Sequence, residues 1–293
     1  MTLPTTDTVV LYPAGAIRNE ARVLHVEPID DSRSAVLLDA TACHPVDAGW
    51  PDQGADRAHL VVDGRDVPIL DCIVGATDGS VLHLGSDVPV RPGTDGWTFV
   101  VAHVVATSDA PPEDAAVSVV VDEEYRTSLS RGHTACHLAS LALNRAVADR
   151  WTKEVRTDGL GQPDFDAAAI ESSRIRENAS TDVFRLNKSL RRKGFATEGL
   201  IDELDAVDAA ANDALAGWVA SGASVRIDRD GDLLTDRRYW VCDLPEASVR
   251  IACGGTHVGS LSDLGGAQIA LEAGEEDGTP TLSMFTETFP RAF

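Results

Sequence analysis

Residues 131–140 read RGHTACHLAS and place His133 and His137 four positions apart. On a helix that spacing puts both imidazoles on one face. Much later in the chain, ACGGTHVGS sets Cys253 and His257 at the same spacing, with Gly254 and Gly255 between them. Nitrogen and sulfur donors of this kind suit zinc, whereas magnesium and calcium prefer oxygen. Thr134, Ala135 and Cys136 fill the gap between the two helical histidines, so the H-E-x-x-H pattern of zinc metalloproteases is absent. A histidine pair on a helix also serves plain packing. The four side chains are compatible with a closed structural site or with three ligands and an open position for water or substrate.

Two short hydroxyl side chains stand beside these candidates. Thr134 follows the first histidine and Thr256 precedes the last; both are candidate catalytic residues that can meet a substrate amino or hydroxyl group. Threonines in such places also cap helices and bond turns. The paired glycines let the backbone turn sharply, so that Cys253 and His257 can reach one point.

The elements that must position these residues are legible in outline. The first hundred residues alternate short β-branched runs, such as ARVLHVEPID, SAVLLDAT and WTFVVAHVVA, with Gly, Pro and Asp. That rhythm predicts a small barrel or sandwich. ATSDAPPEDAA, residues 106–116, marks a connection, giving expected domains at 1–112 and 113–293. Beyond it, Leu138, Leu141, Ala142 and Ala146 form an apolar stripe that predicts a helix beginning near His133, with both histidines in its first turns. Leu200, Leu204, Val207, Ala211, Leu215 and Trp218 predict a second helix that packs on a sheet. ASVRIDRD, RRYWVCD, ASVRIACGG and a final pair of strands complete an α+β half with a largely antiparallel sheet. Residues 151–180 are polar and weakly periodic, and read as a loop or insertion.

Composition narrows the function classes. Of 293 residues, 43% are hydrophobic and 25% charged, as in folded globular proteins, and no apolar run reaches the roughly eighteen residues of a membrane span. MTLPTTDTVV lacks a basic flank followed by an apolar core, so no secretory signal is read and the cytoplasm is the expected compartment. Five scattered cysteines without a C-x-x-C pair argue for reduced thiols rather than a disulfide framework.

A net charge of −22 disfavours nonspecific attraction to nucleic acid. The cations are nevertheless segregated. Arg174, Arg176, Arg185, Lys188, Arg191, Arg192 and Lys193 face only Glu177 and Asp182 in one window. Within RLNKSLRRKGF, we take Arg185, Lys188, Arg191, Arg192 and Lys193 as candidate RNA contacts; the competing reading is a solvated helix face.

Three segments together resemble one family. VVVDEEYRTSLSRGHTACHLASLAL, residues 119–143, resembles the HTAxH strand-to-helix segment of AlaX-type alanyl-tRNA editing proteins and of the alanyl-tRNA synthetase editing domain. VRIACGGTHVGSLSDLGGAQIAL, residues 249–271, resembles their CGGTH segment in the same order. DATACHPVDAGWPDQGAD, residues 39–56, is similar to their glycine-rich TxFYPxGGGQPxDxG segment.

The resemblance implies an N-terminal small β-barrel followed by an α/β-sandwich editing domain. It implies a trans-acting, zinc-dependent aminoacyl-tRNA hydrolase that cuts the ester between a wrong amino acid and tRNA. His133, His137, Cys253 and His257 would be the zinc ligands, and Gly49, Trp50 and His44 would lie at the substrate pocket.

Two departures bear on specificity. Cys43 and His44 stand where the family has an aromatic pair, and Trp50 stands where it has glutamine. The resemblance implies Ser- or Gly-tRNA(Ala) as the standard substrates, and the altered segment points away from them toward a narrower option, tRNA charged with a threonine analogue, as in fluorothreonyl-tRNA deacylases. The competing classes are a noncatalytic zinc- or RNA-binding module and a generic zinc hydrolase of small esters.

Overall fold

A computed structural model describes residues 3–47 and 51–289. The class is α+β, with mostly antiparallel sheets and few helices, as the sequence predicts. By internal contacts the chain divides into two compact units. The first runs to Arg126 and takes in Ile227–Arg238 and Gly254–Thr256; the second holds Thr127–Arg226, Tyr239–Cys253 and the chain from His257 onward.

The first unit carries β1 (Val9–Val10), β2 (Arg18–Pro28), β3 (Arg33–Leu38), β4 (Ala40–Thr41) and β5 (Ala58–Val62). It continues with β6 (Arg65–Ile69), β7 (Asp71–Thr77), β8 (Leu82–Leu84), β9 (Thr98–Ala106) and β10 (Ala116–Val121). Eight of these strands form one sheet in the order β6-β5-β10-β2-β3-β9-β7-β8. The eleven-residue β2 makes this possible by serving two neighbours. Its first half pairs with β10, from Arg18↔Val120 to Arg22↔Ala116, and its second half pairs with β3, from Val23↔Leu38 to Pro28↔Ser34. A register shift between Val23 and His25 separates the halves, as a bulge does when a strand bends.

The barrel expected from the sequence is not closed, since no pairing joins β6 to β8 among the described residues. Both ends are poor templates for another strand. β8 has three residues, and Pro68 leaves β6 without one N–H donor. Alternating positions of these strands bury Val23, Val36, Leu38, Leu60, Val67, Val101, Val117 and Val119 in one core. β10, which follows the expected boundary at residue 112, pairs with β2 and β5 and so counts with this unit.

The second unit is organised around α1 (Glu123–Ala146). Asp122 starts this helix by accepting the Tyr125 N–H at 3.0 Å, and Glu123 and Glu124 occupy its first turn, where carboxylates suit the helix dipole. The helix thus begins ten residues before His133, and both histidines lie in its middle rather than its first turns. Gly132, which reads as a breaker, has a packing role instead. A Cβ there would come within 2.5 Å of the Arg176 and Ala179 carbonyl oxygens. Ala135, Leu138, Ala139, Leu141, Ala142 and Leu143 are all buried, while His137 and Ser140 on the remaining face are half-buried.

Around it stand α2 (Phe165–Ala169), β11 (Ile170–Arg176), β12 (Ala179–Arg185), α3 (Lys188–Lys193) and α4 (Leu204–Ser221). In sequence there follow β13 (Val225–Arg229), β14 (Arg238–Asp243), β15 (Ser248–Ala252), β16 (Ala267–Glu276) and β17 (Thr279–Thr288), of which Ile227–Arg229 and Arg238 count with the first unit. One sheet has the order β11-β12-β17-β16 and another β13-β14-β15. The predicted second helix is α4, which buries Val207, Ala211, Leu215 and Trp218; Leu200 precedes it. The helix docks on β16, where Asn212 exchanges hydrogen bonds with both backbone groups of Ile269 at 2.8 and 2.9 Å.

The expected loop over 151–180 is only partly one. It contains α2, the whole of β11 and the start of β12. β11 escapes sequence reading because six of its seven residues are exposed or half-buried, which erases the apolar alternation.

Candidate metal centre

α1 presents His133 and His137 one turn apart, and the segment after β15 returns Cys253 and His257 to the same place. The ligand atoms of these four residues all lie within 4.8 Å of one another. Cys253 Sγ is 3.5 Å from His133 Nε2 and 3.2 Å from His257 Nε2. Zinc bonds of about 2.3 Å to sulfur and about 2.0 Å to nitrogen set tetrahedral S–N edges near 3.5 Å, so this donor set fits a zinc ion in both chemistry and spacing. The three imidazoles cluster with ring centroids 4.4–5.1 Å apart.

The surrounding side chains orient these donors. Thr134 Oγ1 lies 3.2 Å from His257 Nδ1 and accepts the Val258 N–H at 3.3 Å. With the proton of His257 on Nδ1, directed at Thr134, the Nε2 lone pair faces Cys253, the usual arrangement when a second nitrogen fixes the tautomer of a ligating histidine. Thr134 is fully buried, with its hydroxyl against the His257 ring. Trp240, which sequence reasoning missed, is also fully buried, with its ring 5.0 Å from that of His137. A lone tryptophan on a strand gave no sign of that contact.

Cys136, inside HTACH, points elsewhere. Its thiol donates to Asp182 at 3.5 Å, and burial, reinforced by the Asp182 and Asp166 carboxylates, holds its pKa well above the ordinary thiol value. The structure therefore separates the two cysteines of the motif segments: Cys253 faces the imidazoles, Cys136 does not.

Thr256 is held within the first unit by Gln53. Gln53 Nε2 donates to Thr256 Oγ1 at 2.9 Å, and the Thr256 N–H donates to Gln53 Oε1 at 3.0 Å. Both residues are buried. Gln53 was not singled out in the sequence, because 203 positions separate the partners.

Of the three expected pocket residues, Gly49 and Trp50 lie outside the described residues. His44 is buried, with its ring edge-on to Tyr12 at 4.9 Å, and burial pushes its pKa down to about 4, so it is neutral near pH 7. Its backbone N–H donates to Asp56, whose carboxylate also takes the Arg126 Nε at 2.7 Å. Arg126 in turn reaches the Ala42 carbonyl at 2.8 Å, so the segment around His44 is anchored from both sides.

The basic residues come together at β12 and α3. Asn187 caps α3 by accepting the Leu190 N–H, and Gly194 ends it in a left-handed conformation. Arg185 pairs with Glu171 at 3.4 Å, while Arg191 donates to the Leu186 carbonyl and Lys193 to the Ala168 carbonyl, each at 3.1 Å. Lys188 and Arg192 are exposed. No helix among the described residues is long and apolar enough to cross a membrane.

No family model matches the chain. It is similar to alanine–tRNA ligases along most of its length. That of Haloquadratum walsbyi is 24% identical over 285 residues, which is 96% of this chain and 26% of the ligase. That of Frankia casuarinae is 26% identical over 254 residues, 85% of this chain and 24% of the ligase. That of a Nocardioides species is 29% identical over 168 residues, 57% of this chain and 17% of the ligase. The chain spans about a quarter of the length of the first two of these relatives.

Proposed function

We propose that the protein is a zinc-dependent aminoacyl-tRNA deacylase that acts in trans, cleaving the ester between a mischarged amino acid and the tRNA terminal ribose. The observation that carries this reading is the convergence of His133, His137, Cys253 and His257 within 4.8 Å. Similarity to alanine–tRNA ligases over 96% of the chain supports an RNA-linked substrate.

His133, His137, Cys253 and His257 hold the ion. When bound, zinc supplies Lewis-acid chemistry that favours attack of water on an ester carbonyl. Thr134 keeps the His257 ring in one orientation through Nδ1. Thr256, fixed by Gln53, presents the backbone of the CGGTH turn in one conformation, and its hydroxyl is the candidate contact to the amino acid. Gly49, Trp50 and His44 are the candidate substrate-pocket residues; of these, His44 is buried and its imidazole neutral near pH 7. Arg185, Lys188, Arg191, Arg192 and Lys193 supply the positive surface for the RNA backbone, with strong salt dependence.

The test is release of amino acid from tRNAs charged with Ser, Gly, Ala, Thr or fluorothreonine. We expect hydrolysis of the Ser- and Gly-charged species or of a threonine-analogue species, and sparing of Ala. Release from none of them, in the presence of zinc, would refute the reading.

A further inference from the structure

A concavity of about 300 Å³ opens on the second unit, away from the histidine cluster in sequence. Its lining combines Trp151, Val155 and the α2 residues Ala167 and Ala168 with two cations, Arg156 and Lys193, and one carboxylate, Asp164. The Trp151 ring is held edge-on by Phe195, 5.2 Å between centroids. Phe195 itself packs against Phe165 at 4.8 Å, so the aromatic wall is braced from the core. The cations are also placed. Arg156 lies 3.6 Å from Asp164, whose other oxygen accepts the Ala167 N–H, and Lys193 reaches the Ala168 carbonyl. Arg156 keeps a side chain that is 83% exposed.

We propose that this concavity receives one unpaired nucleotide of the RNA partner. The inference rests on the deacylase reading for the identity of that partner. A flat π surface with small apolar neighbours accepts a base face of any identity, and two lining cations against one carboxylate leave net positive charge for a flanking phosphate. Charge selects this ligand over an apolar one. The concavity shares Lys193 with the basic helix α3, in a chain whose net charge is −22. A blunt duplex, with its bases stacked and paired, offers nothing to the aromatic wall.

The experiment uses the full chain with two probes, unfractionated uncharged tRNA and a blunt RNA duplex of similar length, titrated at fixed salt. Ala167 is exposed on α2, so Ala167→Trp fills the concavity without entering the core. We expect this variant to weaken tRNA binding about tenfold, the scale of one lost stacking contact, and to leave duplex binding unchanged. Arg156→Glu should weaken both probes. Circular dichroism of each variant establishes that it is folded, and Ala168→Leu provides a second, smaller filling. If filling leaves tRNA affinity within twofold, if it weakens the duplex equally, or if the wild type binds neither probe, the inference is overturned. Failure of the deacylase reading has a separate signature, since amino-acid release is scored with charged tRNA and binding here with uncharged tRNA.

Discussion

Gln53 and Thr256 are joined by two hydrogen bonds that run in opposite directions, amide to hydroxyl at 2.9 Å and backbone N–H to amide oxygen at 3.0 Å. Both residues belong to the first unit, and Thr256 directly precedes His257 in the chain. Gln53→Ala leaves both groups of Thr256 without these buried partners, at a cost of about 1–3 kcal/mol. We expect a lower urea midpoint together with weaker zinc retention. Gln53→Glu preserves an acceptor for the N–H, so zinc should be retained better than in Gln53→Ala. Equal zinc affinity in the wild type and in Gln53→Ala would remove the positioning role.

Cobalt substitution separates the two cysteines of the motif segments. A thiolate bound to Co²⁺ gives a sulfur-to-metal charge-transfer band, and Cys253 is the thiol that faces the imidazoles. Cys253→Ser should abolish the band and His133→Ala should lower metal content. Cys136→Ser should preserve the spectrum, because its thiol is directed at Asp182. A band that survives Cys253→Ser would exclude the proposed ligand set.

Gly132→Ala places a methyl group 2.5 Å from two carbonyl oxygens of the β11–β12 turn. Backbone atoms cannot swing aside as a side chain does, so we expect destabilisation of about 1–3 kcal/mol, read as a drop in melting temperature. The neighbouring His133 makes zinc affinity a second readout. A melting temperature equal to that of the wild type would contradict the close approach.

Asp166 gives a signed pH dependence. Burial, with help from Asp182, pushes its carboxyl from the usual 3.8 up to about 7. The unfolded chain releases this proton near pH 4 and the folded chain near pH 7. The stabilising contribution is therefore full below about pH 4 and is lost as pH rises to about 7, at about 1.4 kcal/mol per pH unit. Asp166→Asn should be more stable than the wild type at pH 8, with the advantage shrinking toward pH 5. An advantage independent of pH would show that Asp166 does not titrate in this window.

Local signals carried much of the site. The i, i+4 histidines and the Cys-Gly-Gly-Thr-His turn are each encoded within five residues, and the structure brings them together. What local pattern could not supply was the partner across the chain. Gln53 looks like any loop glutamine until Thr256 meets it, and Trp240 looks like any strand tryptophan until His137 lies on it. The expected start of α1 falls ten residues late because the apolar stripe from Leu138 to Ala146 marks only its second half. Barrel closure was overread for a similar reason. Alternation predicts strands, but whether the outermost two pair depends on features such as the three-residue β8 and Pro68. β11 went unread because its exposed side chains are polar on both faces.

The distribution of thiols has a practical result. Cys43, Cys72, Cys136 and Cys242 are buried, whereas Cys253 is half-exposed. A thiol-reactive dye applied to the folded protein thus meets essentially one target, and that target is protected whenever it is ligated. With the ligand set proposed above, labelling stoichiometry would serve as an occupancy gauge, counting the fraction of molecules whose Cys253 is not ligated.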